Sequence, residues 1–201
     1  MKKWRITLRT MDYTNIEKYK NWLKANLNSE RYEHSLGTAE CAKRLAKKFG
    51  LDEDKAYFTG LIHDCAKCFP SGKLKDLMCK CGDLCDGETA NPKTFHAPAG
   101  AVLAQEEFNI EDCEILSAIR WHTLGKLDMT DFEKIIFLAD KMETYTRPPE
   151  IVKPLEQALE EGGLDKALLV CYGNTIKSLV DRNLQICTAT VDIYNKLLED
   201  L

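Results

Sequence analysis

The sequence predicts an all-α protein, a single bundle of helices, and three observations carry that prediction. Apolar residues recur at intervals of three and four through most of the 201 positions, the period of an amphipathic helix. Capping residues stand where these runs begin, and glycine or proline stands where several of them end. No two alternating runs are joined by a hairpin signal, and no internal repeat is found.

The elements follow in order. The opening MKKWRITLRT alternates enough for a short strand, with an untethered extension as the equal alternative, so residues 1–14 are set apart from one domain at 15–201. Thr14 and Glu17 form a capping-box pattern ahead of Ile16, Tyr19, Trp22, Leu23 and Leu27, which predicts a helix over 15–27. Ser29 is expected to cap a second helix, whose stripe runs from Tyr32 through Leu36, Ala39, Ala42, Leu45 and Ala46 to Phe49 and stops at Gly50. Residues 53–67 continue helically. Between Pro70 and about residue 93 periodicity fades into Gly, Asp, Lys and cysteine, which predicts a short helix and a long loop. Helices are expected again at 97–108, at 111–121, and at 131–143 behind the capping box Thr130/Glu133. Pro148 and Pro149 suit the first turn of a helix to about 160. Gly162 and Gly163 separate that helix from another at 165–181, and a last one is expected at 188–199.

Composition bounds the function. A chain of 22.9 kDa with 44% hydrophobic and 30% charged residues can bury a core without disulfides or metals as staples. A net charge of -4 and a pI near 5.7 leave no basic footprint, so duplex nucleic acid is excluded as the main partner. A locally basic pocket for a small anion is allowed. Nine cysteines cannot all pair within one chain, and with no secretory signal read at the N-terminus the expected compartment is the reducing cytoplasm. No stretch approaches the roughly 18 apolar residues of a spanning helix, so no membrane role is expected.

The four histidines are the most informative residues. His34, His63, His96 and His122 each fall within or at the end of an expected helix. Neutral imidazole is a common metal ligand, and a neighbouring carboxylate completes a hard site for Fe(II), Mn(II) or a similar ion. His63-Asp64 offers both at the end of the apolar run Phe58-Thr59-Gly60-Leu61-Ile62. An aspartate there is an unpaired charge unless something compensates it, and a cation is the economical partner. Asp140 repeats the pattern after Ile135-Ile136-Phe137-Leu138-Ala139; the bland alternative is a solvated Asp140 paired with Lys141.

A histidine, a later His-Asp and a distant aspartate on successive helices resemble the HD-domain metallohydrolases, matched by His34, His63-Asp64 and Asp140. The longer motifs Arg31-Tyr32-Glu33-His34-Ser35-Leu36-Gly37, Gly60-Leu61-Ile62-His63-Asp64-Cys65-Ala66-Lys67, His96-Ala97-Pro98-Ala99-Gly100-Ala101, Ala118-Ile119-Arg120-Trp121-His122-Thr123-Leu124-Gly125 and Ala139-Asp140-Lys141-Met142-Glu143 look like its YqeK-type branch, the bacterial symmetrical diadenosine tetraphosphatases. The resemblance covers about residues 15–199.

It implies an all-helical HD domain, one or two iron ions with manganese or another divalent ion as substitute, and cleavage of diadenosine tetraphosphate to two ADP by hydroxide held on the metal. His34, His63, Asp64 and Asp140 match the core ligands. His96 and His122 match positions that hold a second metal or face the substrate phosphates. Arg31, Lys67, Thr123 and Arg147 would contact the polyphosphate or nucleotide, with Asp64 and Lys67 the catalytic pair. Helical spacing gives Lys67 independent support, four residues after His63 and on its face. One departure concerns Arg147: family members usually pass through a Glu-Pro turn to an arginine, whereas here Thr144-Tyr145-Thr146 intervene after Glu143.

Two rival readings are kept. Cys65, Cys68, Cys79, Cys81 and Cys85 could hold a structural zinc or an iron–sulfur cluster, although their spacing fits common ribbons poorly. The chain could also act on another nucleotide, or have kept the helices as a nucleotide or metal sensor without turnover. Trp121 could stack on a base or pack in the core; Trp22, Phe137 and Met142 are read as core. A homodimer is left open.

Overall fold

The helices begin and end where local chemistry satisfies their terminal backbone groups. A computed structural model describes residues 15–201 apart from 83, 86 and 87, so the expected strand or extension, and Thr14, lie outside the described residues. Among the described residues the chain forms α1 (Ile16–Asn26), α2 (Ser29–Phe49), α3 (Glu53–Ile62), α4 (Ser71–Cys81), a 3-10 turn (Glu88–Ala90), α5 (His96–Phe108), α6 (Cys113–Trp121), α7 (Asp131–Met142), α8 (Pro149–Asp181) and α9 (Thr188–Asp200), with no strand. The all-α expectation holds.

Several boundaries differ, each for a physical reason. Asn28, not Ser29, caps α2, because its Oδ1 accepts the Arg31 amide at 2.9 Å. Asp52 and Asp112 cap α3 and α6 in the same way. The Thr130/Glu133 capping box forms as expected, with both reciprocal bonds present. Residues 149–181 are joined across a break at Gly162 and Gly163, where Gly163 takes φ +72°, so the two helices expected there are both present.

The largest difference is at 53–67. The α-helix stops at Ile62, and Cys65, Lys67 and Phe69 bond back three residues instead of four. The His63 ring takes the Gly60 carbonyl at 2.6 Å, the acceptor that a continued helix would offer to the Asp64 amide. His63 and Asp64 therefore sit on a tight turn rather than along a helix.

Two apolar cores flank the centre. One joins α1, α3, α4, α5 and α6 through residues such as Leu23, Phe58, Leu61, Met78, Ile115 and Ile119. The other joins α2, α7, α8 and α9 through Leu45, Ile135, Ile136, Leu138, Leu155, Leu168 and Ile193. Each such side chain contributes about 1.5–3 kcal/mol on burial, which is what holds a strip of charged groups between the cores. α2 and α3 cross closely because Gly60 has no side chain: a Cβ there would lie 2.9 Å from both Ala39 Cα and Thr38 O. That crossing brings His34 beside His63. No helix among the described residues is long and apolar enough to cross a membrane.

Candidate active site

All four histidines, with Asp64 and Asp140, converge between the two cores, and none of the six is more than 6% exposed. His34 comes from the second turn of α2, His63 and Asp64 from the turn after α3, His96 from the first residue of α5, His122 from the end of α6, and Asp140 from the last turn of α7.

Their rings are aimed by the backbone. His63 Nδ1 donates to Gly60 O at 2.6 Å and His122 Nδ1 donates to Ile119 O at 2.7 Å. A carbonyl only accepts, so in both rings the proton is on Nδ1 and the Nε2 lone pair points into the site. His34 Nδ1 lies 3.1 Å from Glu143 Oε1, which leaves its Nε2 facing the same space.

Asp64 stands at the centre. Its Oδ2 lies 3.9 Å from His63 Nε2, 4.0 Å from His34 Nε2 and 3.9 Å from Arg31 Nη1. Its Oδ1 lies 3.3 Å from His96 Nε2, 3.4 Å from His122 Nε2 and 3.7 Å from Lys67 Nζ. Asp140 Oδ1 is 2.9 Å from His34 Nε2 and 3.9 Å from His63 Nε2. His96 Nε2 and His122 Nε2 are 3.1 Å apart.

Burial and charge set the protonation states. Burial pushes His63 down to about 3, against the carboxylates that would raise it, so at neutral pH it is a neutral donor. Burial also holds His96 well below its ordinary value. Asp64 is lowered despite its burial, chiefly by Lys67 with the histidines adding, and Asp140 is lowered despite its burial, chiefly by Lys141 with His34 adding. Both are carboxylates. In His34, burial works downward, and the hydrogen bonds to Asp140 and Glu143 overcome it. A proton and a metal ion would therefore compete for the Nε2 lone pair of His34.

A divalent cation fits this arrangement. His63 Nε2 is buried and has no hydrogen-bond partner, with the Asp64 and Asp140 carboxylates each 3.9 Å away, which is costly for a polar atom unless an ion takes its lone pair. Three overlapping sets bring potential ligand atoms within 4.8 Å of one another: His34, His63 and Asp64; His63, His122 and Asp140; Asp64, His96 and His122. Atoms sharing an octahedral ion at roughly 2.1 Å lie roughly 3 Å apart, close to the shortest of the separations above. None of the sets found among the described residues contains a cysteine. Cys65 is buried against Gly100 O, while Cys68 and Cys79 are exposed, so the thiolate alternative gains no support.

Cations ring the core. Lys67 Nζ lies 2.8 Å from His96 Nε2, and Thr123 Oγ1 lies 3.0 Å from the same atom. Lys67 arrives although its turn is not the helix that its spacing assumed. Arg147 also arrives, despite the altered turn before it: its Nη2 meets Asp140 Oδ1 at 3.0 Å and its Nε donates to Asp140 O at 3.0 Å. Lys141 pairs with the other Asp140 oxygen, yet Asp140 is buried, so the solvated alternative fails. Trp121 is half-buried with the Arg120 guanidinium 4.0 Å over its ring.

Three residues without a role in the sequence reading belong to the site's frame. Glu143 is fully buried against His34. Glu88 and Arg120 form a buried two-pronged pair at 2.9 and 2.7 Å, tying the loop before His96 to the helix before His122. Arg120 stands two residues before His122 in the sequence, a hint that it lies close by. Glu88, in an aperiodic loop, gave no signal.

The comparisons agree with this geometry. The HD domain family model matches residues 31–145. A symmetrical bis(5'-nucleosyl)-tetraphosphatase of Halalkalibacterium halodurans is 37% identical over 176 residues, 88% of this chain and 93% of the relative. One of the same description from Bacillus subtilis is 35% identical, over 88% of this chain and 94% of its own. A solved structure from Clostridium acetobutylicum, described as a predicted HD superfamily hydrolase involved in NAD metabolism, superposes with a TM-score of 0.86 at 36% identity, covering 96% of this chain and 100% of that one. The family model spans more than half of the chain and the relatives span most of it: the chain belongs to the HD-domain family, in the branch of the symmetrical bis(5'-nucleosyl)-tetraphosphatases.

Proposed function

We propose that this protein is a metal-dependent hydrolase that cleaves diadenosine tetraphosphate at its central bridge to give two ADP. The observation that carries this reading is a buried histidine–aspartate core with Arg31, Lys67, Thr123 and Arg147 on its rim. Donors to metal on the inside and donors to anions on the outside suit a metal-assisted attack on a polyphosphate. Relatives at 35–37% identity that carry this activity in their description support the substrate.

In this reading His34, His63, Asp64 and Asp140 hold one iron ion, and His96 and His122, with Asp64, either hold a second or face the phosphates. Imidazole with carboxylate suits iron, with manganese or another divalent ion able to replace it. Bound metal supplies an acidified water and polarises a phosphoryl oxygen. The chain's own groups do the rest. Asp64, ionised and central, orients the attacking water. Lys67 and Arg31 neutralise charge that builds on the phosphates as the bridge breaks, and fixed cations in a partly buried cleft do this with little reorganisation. Thr123 donates a hydrogen bond to a phosphate oxygen. Arg147 holds Asp140 by its side chain and carbonyl, and its part-exposed guanidinium adds positive charge beside the site. We place the reaction in the cytoplasm, which suits an odd complement of nine thiols.

The products test the reading. In water enriched with heavy oxygen, iron-loaded protein should convert diadenosine tetraphosphate to ADP alone, with label in one ADP of each pair. AMP with ATP would mean an asymmetric cut. No product under iron-loaded reducing conditions would favour a sensor.

A further inference from the structure

We infer that Glu143, seated on Gly37, is a positioning residue: it fixes the proton of His34 on Nδ1 and thereby leaves Nε2 free to bind a metal ion. The inference rests on the metal centre proposed above and goes beyond it, because Glu143 lies behind His34, on the ring nitrogen away from the other proposed ligands, with Arg147 Nε 3.8 Å from its Oε1.

Glu143 follows α7 as its C-cap and is fully buried. Its Oε2 accepts the backbone amides of Tyr145 at 2.7 Å and Thr146 at 3.0 Å. Its Oε1 accepts the Thr146 hydroxyl and faces His34 Nδ1 at 3.1 Å. Both oxygens of Glu143 thus already accept from the turn, the arrangement of a carboxylate, which only accepts. His34 must then present N–H to it. With Nδ1 donating to Glu143, Nε2 is the atom left facing Asp140 Oδ1 at 2.9 Å, a contact that a proton closes in the metal-free protein and that a metal ion would take over.

Gly37 makes this possible. It lies three residues after His34 on α2, and a Cβ there would collide with Glu143 Oε2 and come within 3.0 Å of Tyr145 Cβ. Only a bare backbone lets the carboxylate lie against α2 within reach of His34. A carboxylate behind a metal-binding histidine is a known way to fix the ring's tautomer and raise its basicity.

Glu143→Gln separates this role from mere support of the turn. The amide oxygen of Gln would take the Tyr145 and Thr146 amides, since the reverse orientation sets donor against donor. Its NH2 would then face His34 Nδ1 and donate to it, which moves the His34 proton to Nε2. There it bonds Asp140 and blocks the metal. The two backbone bonds of the turn are kept, the Thr146 hydroxyl turns from donor to acceptor, and the lone pair is lost.

The test is a Co(II) titration of metal-free wild type, Glu143→Gln and Gly37→Ala, read by visible absorption, with thermal melting of each metal-free protein. We expect both variants to bind Co(II) on the order of 10–100-fold more weakly than wild type, and Glu143→Gln to melt cooperatively near the wild-type temperature. Wild-type Co(II) affinity in a cooperatively melting Glu143→Gln would overturn the inference. If Glu143→Gln does not fold, Gly37→Ala decides: weakened binding supports the role, and wild-type binding overturns it. Wild type that takes up no Co(II) would instead overturn the metal centre itself.

Discussion

Asp64 divides the site into two halves that are built differently. On its Oδ2 side, His34 and His63 are locked from behind by Glu143 and the Gly60 carbonyl, and their forward nitrogens face the Asp140 and Asp64 carboxylates. On its Oδ1 side, His122 is locked by the Ile119 carbonyl, but His96 has His122, Thr123 and Lys67 all within 3.1 Å of its Nε2. The first half sets imidazole nitrogens against two carboxylates and leaves His63 Nε2 without a hydrogen-bond partner. The second contains an ammonium and a hydroxyl of the chain's own. In the proposed reading one half is shaped for an ion that stays, and the other for charge that arrives and leaves with substrate.

Removing the group shared by both halves should have the largest effect. Asp64→Ala takes away a proposed ligand and the central negative charge, and we expect kcat to fall by more than roughly 10³-fold, since metal activation is worth several kcal/mol. Circular dichroism should show the helices retained. Full activity in this variant would break the comparison at its pivot.

Lys67→Ala probes the second half alone. Loss of a fixed cation beside the phosphates should lower kcat on the order of 10²-fold, with iron content unchanged. A large loss of iron with little change in kcat would mean that Lys67 serves the metal and not the substrate.

A smaller effect is expected in the stability of the metal-free protein. His63 titrates at about 3 when folded, against an ordinary 6.5, so below pH 6.5 the unfolded chain takes a proton that the folded one refuses. Its contribution is complete above pH 6.5 and is lost as pH falls toward 3. His34 is shifted the other way, so its contribution is complete below pH 6.5 and fades as pH rises through its raised value. Denaturant unfolding in EDTA from pH 6.5 down to 5 should show the His63 loss, and His63→Asn should flatten that slope by up to about 1.4 kcal/mol per pH unit. An unchanged slope would place His63 outside the desolvated core.

Much of this was legible in the sequence because the signals are local. Periodic stripes and the Thr130/Glu133 capping box set out most of the helices, and His34, His63-Asp64 and Asp140 stood where apolar runs made their charges conspicuous. What stayed hidden depends on contacts between distant segments. That α3 ends at Ile62 follows from a ring bonding its own backbone, which no propensity encodes. Glu143 looked like the close of a motif, and only the packing of α7 on α2 over Gly37 reveals what it faces. Glu88 sits in a loop without pattern, and its partner Arg120 is 32 positions away. Arg147 was in doubt from its altered turn, yet the buried charge of Asp140 draws it to the site.

The central claim is that the Oδ2 half is a metal centre of imidazoles and carboxylates. Elemental analysis of anaerobically purified wild type, His63→Ala and His96→Ala tests it most directly. We expect iron in the wild type, its loss in His63→Ala, and at least one iron per chain retained in His96→Ala. Zinc that depends on the cysteines and is untouched by His63→Ala would contradict it.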